Sequence, residues 1–368
     1  MDALTTPSNW QRVRLGDIFF ITAGGDLFKP HYSNTKQSDF NYPIYSNAIE
    51  KKGLYGYSSF FIIKNKSITI TSRGTIGVAF FRDYPYVPIG RLLVLQPKIS
   101  NIDCRFYTEY INSKVKFNTE QTTIPQLTIP KVALCEILLP PLNEQIAIAD
   151  ILSALDRYLH ALDSLILKKE SVKKALSFEL LSQRKRLKGF NQAWQRVRLG
   201  DICEITTGSL DANEMVHYGK YRFYTCAKEY YFIDKYAFDT EAILISGNGA
   251  YVGYVHYYKG KFNAYQRTYV LDNFSEHIIF VKYFLTMFLQ SHIQTNKNEG
   301  NTPYIVMATL KDFEIFLPPL NEQIAIANIL SDLDHEIISL KNKKRQFDNI
   351  KKALNHDLMS AKIRVLKK

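Results

Sequence analysis

Two short glycine turns hold the residues best suited to chemistry. Ser72-Arg73-Gly74-Thr75-Ile76-Gly77 is matched, with one insertion, by Gly247-Asn248-Gly249-Ala250-Tyr251-Val252-Gly253. Fourteen residues past the last glycine of each turn stands an arginine, Arg91 and Arg267, followed by Val94-Leu95 and Val270-Leu271. Glycine lets a backbone approach a partner closely, and residues between two glycines project from a tight turn. Arginine pairs bidentately with guanine, and asparagine or glutamine with adenine. Arg73, Asn248 and Gln266 are therefore candidate readers of base edges. Lys64, Lys66, Thr75, Arg91, Tyr251 and Arg267 are candidate helpers or phosphate contacts. A plainer reading stays open, in which the glycines only make hairpins and Arg91 and Arg267 anchor local ion pairs.

Covalent and metal chemistry find no foothold in the sequence. There is no GxxxxGK[ST] phosphate loop and no HExxH or Cys/His metal spacing. Gly247-x-Gly249 is followed by a strand-like Tyr/Val run where a dinucleotide loop needs a helix. Glu50-Lys51-Lys52 is an ExK triplet of the kind nucleases use, but it lacks an upstream acid in strand context and a counterpart in the second half of the chain. The four cysteines are widely spaced, which fits isolated thiols in a reducing compartment. The reading is of a chain with no catalytic residues, no metal site and no bound cofactor.

Charge points to the partner. Lys plus Arg number 47 against 35 for Asp plus Glu, a net +12 over 368 residues, which favours nucleic acid or an anionic surface. With 46% hydrophobic and 22% charged residues the composition is that of a folded protein. Neither a leader-like start nor an apolar run long enough to cross a bilayer is evident, so a cytoplasmic location is expected. Tyrosine is dense in one region, with 14 of the 24 between Tyr218 and Tyr304. It suits base stacking, and equally the half-buried face of a sheet.

The elements that must position these turns are announced by a repeat. WQRVRLGDI at residues 10–18 recurs letter for letter at 194–202. LPPLNEQIAIADILSALD at 139–156 recurs at 317–334 with 16 of 18 positions identical. Two near-identical frames thus enclose two dissimilar inserts, residues 19–136 and 203–314. After each Pro-Pro pair, Asn143 or Asn321 offers an N-cap and Glu144 or Glu322 suits the first turn. Apolar residues then recur at helical spacing, including Ile148, Leu152, Leu155, Leu159 and Leu162, and in the second copy Ile326, Leu330, Leu333, Ile337 and Leu340. A seam sustained over about five heptads predicts a coiled coil. The two stripes can pair antiparallel within the chain, or each can serve as a separate dimerisation helix.

Each insert reads as short strands followed by one helix. Strands are expected at 67–71, 242–245 and 251–258, with a short apolar run at 60–63. Helices are expected at 105–115 behind Asp103 and at 276–293 behind Ser275, and each insert returns through a strand (137–139; 315–317). The fold class is α+β: two β-rich domains, each with a helix, joined by two long helices forming an antiparallel coiled coil with a pseudo-two-fold.

The duplicated LPPLNEQ-IAI-IL-LD run, W-x-x-V-x-L-G-D-I and the Arg73–Gly77 loop resemble the specificity subunits of type I restriction–modification systems over essentially the whole chain. The second loop departs from the pattern, having Asn248-Gly249 and no arginine. The resemblance implies frame segments at 1–18 and 194–202, target-recognition domains at 19–136 and 203–314, and coiled-coil regions at 137–193 and 315–368. It implies double-stranded DNA as ligand, a bipartite asymmetric target, and helices that measure its spacer and dock two methyltransferase subunits. Restriction subunits could join them. S-adenosylmethionine, ATP and Mg would belong to those partners, not to this chain. Leu142, Asn143, Glu144, Gln145 and Ile148, with Leu320, Asn321, Glu322, Gln323 and Ile326, are the residues it suggests for docking. A nucleic-acid-binding coiled-coil scaffold and a self-contained nuclease or methyltransferase are the alternatives.

Overall fold

β-branched and aromatic runs punctuated by glycine and proline become short strands here, and the apolar heptads become two helices of 40 residues. The computed structural model describes residues 9–117, 125–295 and 303–365. The chain divides into two units, Met1–Asp163 with Asn342–Lys368, and Ser164–Lys341. No helix among the described residues is long and apolar enough to cross a membrane.

In the first unit, strand β1 (Gln11–Arg14) leads through the turn of helix α1 (Leu15–Ile18) into β2 (Phe19–Ala23). Then come β3 (Tyr32–Ser33), β4 (Tyr42–Tyr45), β5 (Leu54–Ser58), β6 (Ser67–Ile70), β7 (Ala79–Arg82), β8 (Val87–Pro88) and β9 (Leu93–Pro97). Helices α2 (Cys104–Lys114) and α3 (Ile129–Ala133), strand β10 (Glu136–Leu139) and helix α4 (Leu142–Leu181) follow. One sheet has the order β2-β9-β6-β7, a second β3-β5-β4-β8, and β1 pairs antiparallel with β10. Asp103 caps α2, accepting from Arg105 N and Phe106 N, as its position in the sequence suggests. The core joins Leu15, Ile68, Leu95, Phe106, Tyr107, Ile148 and Leu152 to Leu358 and Met359 from the end of the chain's last helix.

The second unit repeats the plan. Strand β11 (Gln195–Arg198), helix α5 (Leu199–Ile202) and strands β12 (Glu204–Thr207), β13 (Tyr221–Tyr224), β14 (Tyr231–Ile233), β15 (Phe238–Ser246), β16 (Val255–Ala264) and β17 (Thr268–Asp272) come first. Helices α6 (Ile278–Thr295) and α7 (Met307–Lys311), strand β18 (Glu314–Leu317) and helix α8 (Leu320–Met359) complete it. Here the sheet is continuous, in the order β12-β17-β15-β16-β13-β14, because β16 pairs with β15 along its length and with β13 at its end. In the first unit Asp83-Tyr84-Pro85 interrupts the equivalent strand, proline having no N–H to donate, and the single sheet becomes two.

The long helices run antiparallel within each unit. In the first, Asp163 pairs with Lys344 and Asp156 with Lys351, while Tyr158 packs on Phe347 at 4.7 Å. In the second, Lys169 meets Glu336, Lys173 meets Asp334 and Glu170 meets Lys341.

Two local expectations are corrected, the caps of the long helices and the start of one strand. Asn143 and Asn321 lie inside the first turn, because Pro141 and Pro319 already supply the carbonyls that accept from residues 144–145 and 322–323. The apolar run at 60–63 carries an isolated bridge between Ile63 and Tyr86, whose carbonyl also accepts from Ile62 N. The strand expected from Tyr251 starts only at Val255, since Gly253 (φ +81°) is still part of the turn.

Candidate nucleic-acid interface

The turn carrying Arg73 caps the β6–β7 hairpin. Thr71 N donates to Val78 O at 3.0 Å and Gly77 N donates back to Thr71 O at 2.8 Å. The Thr71 hydroxyl donates to Thr75 O and accepts from Val78 N. Gly74 and Gly77 take φ of +68° and +89°, a conformation that glycine alone adopts without strain. Asn47 braces the turn from outside: its Oδ1 accepts from Ser72 N at 2.7 Å and its Nδ2 donates to Gly90 O at 2.6 Å. The Ser72 hydroxyl donates to Arg91 O at 2.7 Å. Arg91 itself is held at φ +63°, which costs a non-glycine residue about 1–2 kcal/mol and is tolerated where the surroundings fix it. A third segment joins through Leu127 N donating to Ser72 O at 2.9 Å, which sets Gln126 Oε1 3.2 Å from Arg73 Nη2. Arg73, Thr75 and Arg91 all remain exposed.

The second turn is braced by the same backbone atoms. Ser246 N donates to Tyr254 O at 3.0 Å, and Gly253 N to Ser246 O at 2.7 Å. Gly247 N donates to Arg267 O at 2.8 Å, and a Cβ on Gly247 would lie 2.3 Å from that oxygen, so close approach demands glycine there. Ile305 N donates to Gly247 O and Gly249 N to Pro303 O, both at 2.9 Å, which pairs Asn248 with Tyr304. Cys226 stands where Asn47 does, its thiol 3.3 Å from Arg267 O. The neighbouring surface is aromatic and basic. Arg222 lies between the rings of Tyr230 (4.3 Å) and Tyr258 (4.4 Å), and Lys228 sits 5.1 Å from the ring of Tyr251. His256 donates from Nε2 to Ala227 O at 2.9 Å; burial holds its pKa below the usual imidazole value, with that carbonyl partly opposing.

The structure gathers Arg73, Thr75 and Arg91 in one place, and Asn248, Tyr251, Gln266 and Arg267 in another. Neither Arg91 nor Arg267 forms an ion pair among the described residues, so local charge anchoring does not account for them. Lys64 and Lys66 are not brought to this turn. They precede β6 while Arg73 follows it, so the strand carries them to the opposite end, where Lys66 lines a separate cleft with Asp103 and Arg105. Glu50-Lys51-Lys52 forms a tight turn with Lys51 and Lys52 at φ +48° and +54°, and no metal-holding cluster occurs among the described residues. Burial pushes the Cys104 and Cys203 thiols up to about 12, the reverse of an activated nucleophile.

Asn47, Gln126 and Tyr304 escape a reading by motif. For Gln126 and Tyr304 the one signal is that Pro125-Gln126-Leu127 and Pro303-Tyr304-Ile305 recur at the interval that separates the two LPPLNEQ runs.

The frame is also corrected. Glu144, Gln145 and Ile148, with Glu322, Gln323 and Ile326, are buried and cannot meet a partner directly. Glu144 accepts from Trp10 Nε1 at 3.0 Å and from Arg364 Nε at 2.6 Å; Glu322 accepts from Arg186 Nε at 2.9 Å. Gln145 Oε1 accepts from Asp103 N and Gln323 Oε1 from His277 N, tying each long helix to the start of α2 or α6. Asn143, Leu320 and Asn321 stay exposed and Leu142 half-buried, beside exposed Ile146 and Ile324.

Comparison with known proteins agrees with this plan. The family described as the type I restriction modification DNA specificity domain matches residues 7–169 and again 191–347. The EcoDI specificity subunit of Escherichia coli is 38% identical over 170 residues, covering 45% of this chain and 37% of that protein. The chain thus spans little more than a third of that relative's length in the alignment. The MjaVIII specificity subunit of Methanocaldococcus jannaschii is 24% identical over 418 positions, covering 99% of this chain and 95% of its own. In fold, the chain is similar to the crystal structure of a type I restriction–modification S subunit from M. genitalium. The TM-score is 0.72 and the identity 19%, over 96% and 97% of the two chains.

Proposed function

The chain belongs to the type I restriction modification DNA specificity family, and from that premise we propose that it supplies the address, not the chemistry, of a DNA-modifying complex. Residues 19–136 and 203–314 would each read one half of a split, asymmetric duplex target. The observation that carries this reading is the pair of glycine turns, braced by equivalent backbone hydrogen bonds yet tipped with different side chains. Equal scaffolds with unequal tips are what two readers of different half-sites require. The excess of 12 positive charges would supply sequence-independent attraction to the phosphates.

Two methyltransferase subunits, and in a larger assembly restriction subunits, would bring S-adenosylmethionine, ATP and Mg. Each unit would offer such a partner its own surface, exposed Asn143 and Ile146 with half-buried Leu142 in the first, and exposed Leu320, Asn321 and Ile324 in the second. Such a complex would work on cellular DNA in the cytoplasm. The test is to express the chain with its cognate methyltransferase and map modified adenines. A two-part motif is expected, and exchanging residues 19–136 for another insert changes one half only. An unchanged motif after the exchange refutes the assignment.

A further inference from the structure

We propose that Arg73 reads a guanine in the major groove of the half-site served by residues 19–136, with Gln126 as the residue that positions it. This deepens the function proposed above and rests on it.

The backbone under Arg73 is fixed before any ligand arrives. Ser72 is held on three sides, by Asn47 Oδ1, Arg91 O and Leu127 N, and the Thr71 hydroxyl closes the turn behind it. From this base the guanidinium projects into solvent, exposed, with Gln126 Oε1 as its one hydrogen-bond acceptor and no carboxylate partner among the described residues. An arginine carries five N–H donors in a rigid fork, so most of them stay available.

The amide contact separates two uses of that fork. A phosphate accepts a cation from many directions, and fixing the guanidinium plane adds little there. Guanine presents O6 and N7 side by side in the base plane, and a guanidinium fork meets both when it is held edge-on in that plane. Gln126 is anchored through Leu127 N to Ser72 O, so the two side chains rise from paired backbone and the amide restricts the plane of its neighbour. In the second unit the same pairing sets Tyr304 beside Asn248, with no guanidinium at the turn. The guanine assignment therefore belongs to the first domain alone.

The experiment maps modified adenines in cells carrying the full chain with its methyltransferase, for the wild type, Arg73→Gln, Gln126→Ala and Gln126→Glu. The wild-type motif should contain an invariant guanine in the half that changes when residues 19–136 are exchanged. Arg73→Gln removes the donors that guanine O6 and N7 accept from, so preference for that guanine should fall about 5- to 150-fold, with the other half unchanged. Gln126→Ala should relax the same position to a smaller degree, and Gln126→Glu, whose carboxylate engages the guanidinium fork itself, should lower the preference for guanine further. Even weakening at all sites with the guanine still preferred in Arg73→Gln would make Arg73 a phosphate contact and overturn the proposal. So would a first half-site without an invariant guanine, or a Gln126→Ala motif like the wild type. Absence of any two-part motif in the wild type would instead bring down the underlying function.

Discussion

Trp10 and Trp194 open identical nine-residue runs, yet the structure gives their indoles opposite polar environments. Trp10 Nε1 donates to Glu144 Oε2 at 3.0 Å, whereas Trp194 Nε1 is buried without a hydrogen-bond partner among the described residues. Replacing either tryptophan with phenylalanine removes a similar slice of buried ring, about 1 kcal/mol at 25 cal/mol per Å2. Trp10→Phe also removes a hydrogen bond to a buried carboxylate, worth about 1.5–3 kcal/mol. Trp194→Phe instead removes an unsatisfied donor, returning about 1–3 kcal/mol. The two variants should therefore differ by at least about 2 kcal/mol, the first clearly destabilised and the second neutral or slightly stabilised. At about 2–4 °C per kcal/mol for units of this size, the gap in unfolding midpoint is about 4–8 °C. Urea unfolding followed by amide exchange would assign each loss to its unit. Equal losses in the two variants, or a larger loss for Trp194→Phe, would refute the reasoning.

Asn47→Leu leaves Ser72 N and Gly90 O without their partner, so it should cost about 1–3 kcal/mol and blur only the first half of the modified motif. Lys173→Met strands Asp334, which burial would push up but which Lys173 and the Tyr283 hydroxyl hold below the usual carboxylate range. Both side chains of that pair are partly exposed, so a loss of about 1–2 kcal/mol is expected in urea unfolding, above the range for fully exposed pairs. His256 binds its proton more weakly folded than unfolded, so its contribution is complete above the unfolded value near pH 6.5. That contribution is lost as pH falls toward the lowered folded value. The unfolding midpoint should drop over that window, and His256→Gln should reduce the slope.

The frames were legible because they repeat almost letter for letter, and the long helices because their apolar stripe is continuous. The glycine turns could be aligned across the inserts because Gly74 and Gly249, and Gly77 and Gly253, are needed for left-handed backbone in both units. What stayed hidden depends on distance along the chain. Glu144 reads as a solvated helix residue until Trp10, 134 positions away, and Arg364, 220 away, close over it. Lys66 looks like a neighbour of Arg73 only if the strand between them is ignored. Asn47 and Gln126 carry no local signature, since their roles come entirely from the carbonyls, amides and guanidinium that folding brings to them.

This division explains why one part of the chain repeats and another diverges. Gln145 Nε2 donates to Asn101 O and Pro140 O while its Oε1 accepts from Asp103 N; Gln323 is committed in the same way to Glu276, Pro318 and His277. Changing either glutamine would leave one buried carbonyl, of Pro140 or Pro318, and two further groups at or near the surface without their partner, at about 1–3 kcal/mol for the buried one. The frame sequence is thus constrained by its own interior. At the turns the constraint falls elsewhere. Their braces lie around the tips and not in them: backbone atoms such as Thr71 O, Ser72 O and Ser246 O, the Asn47 amide, and glycine where Gly247 packs on Arg267 O. Between them Arg73 and Thr75 point to solvent, where substitutions usually change stability by less than about 0.5 kcal/mol. A scaffold of this kind lets the tips change with little cost to folding, so the groups that would set the DNA address are those the fold leaves free.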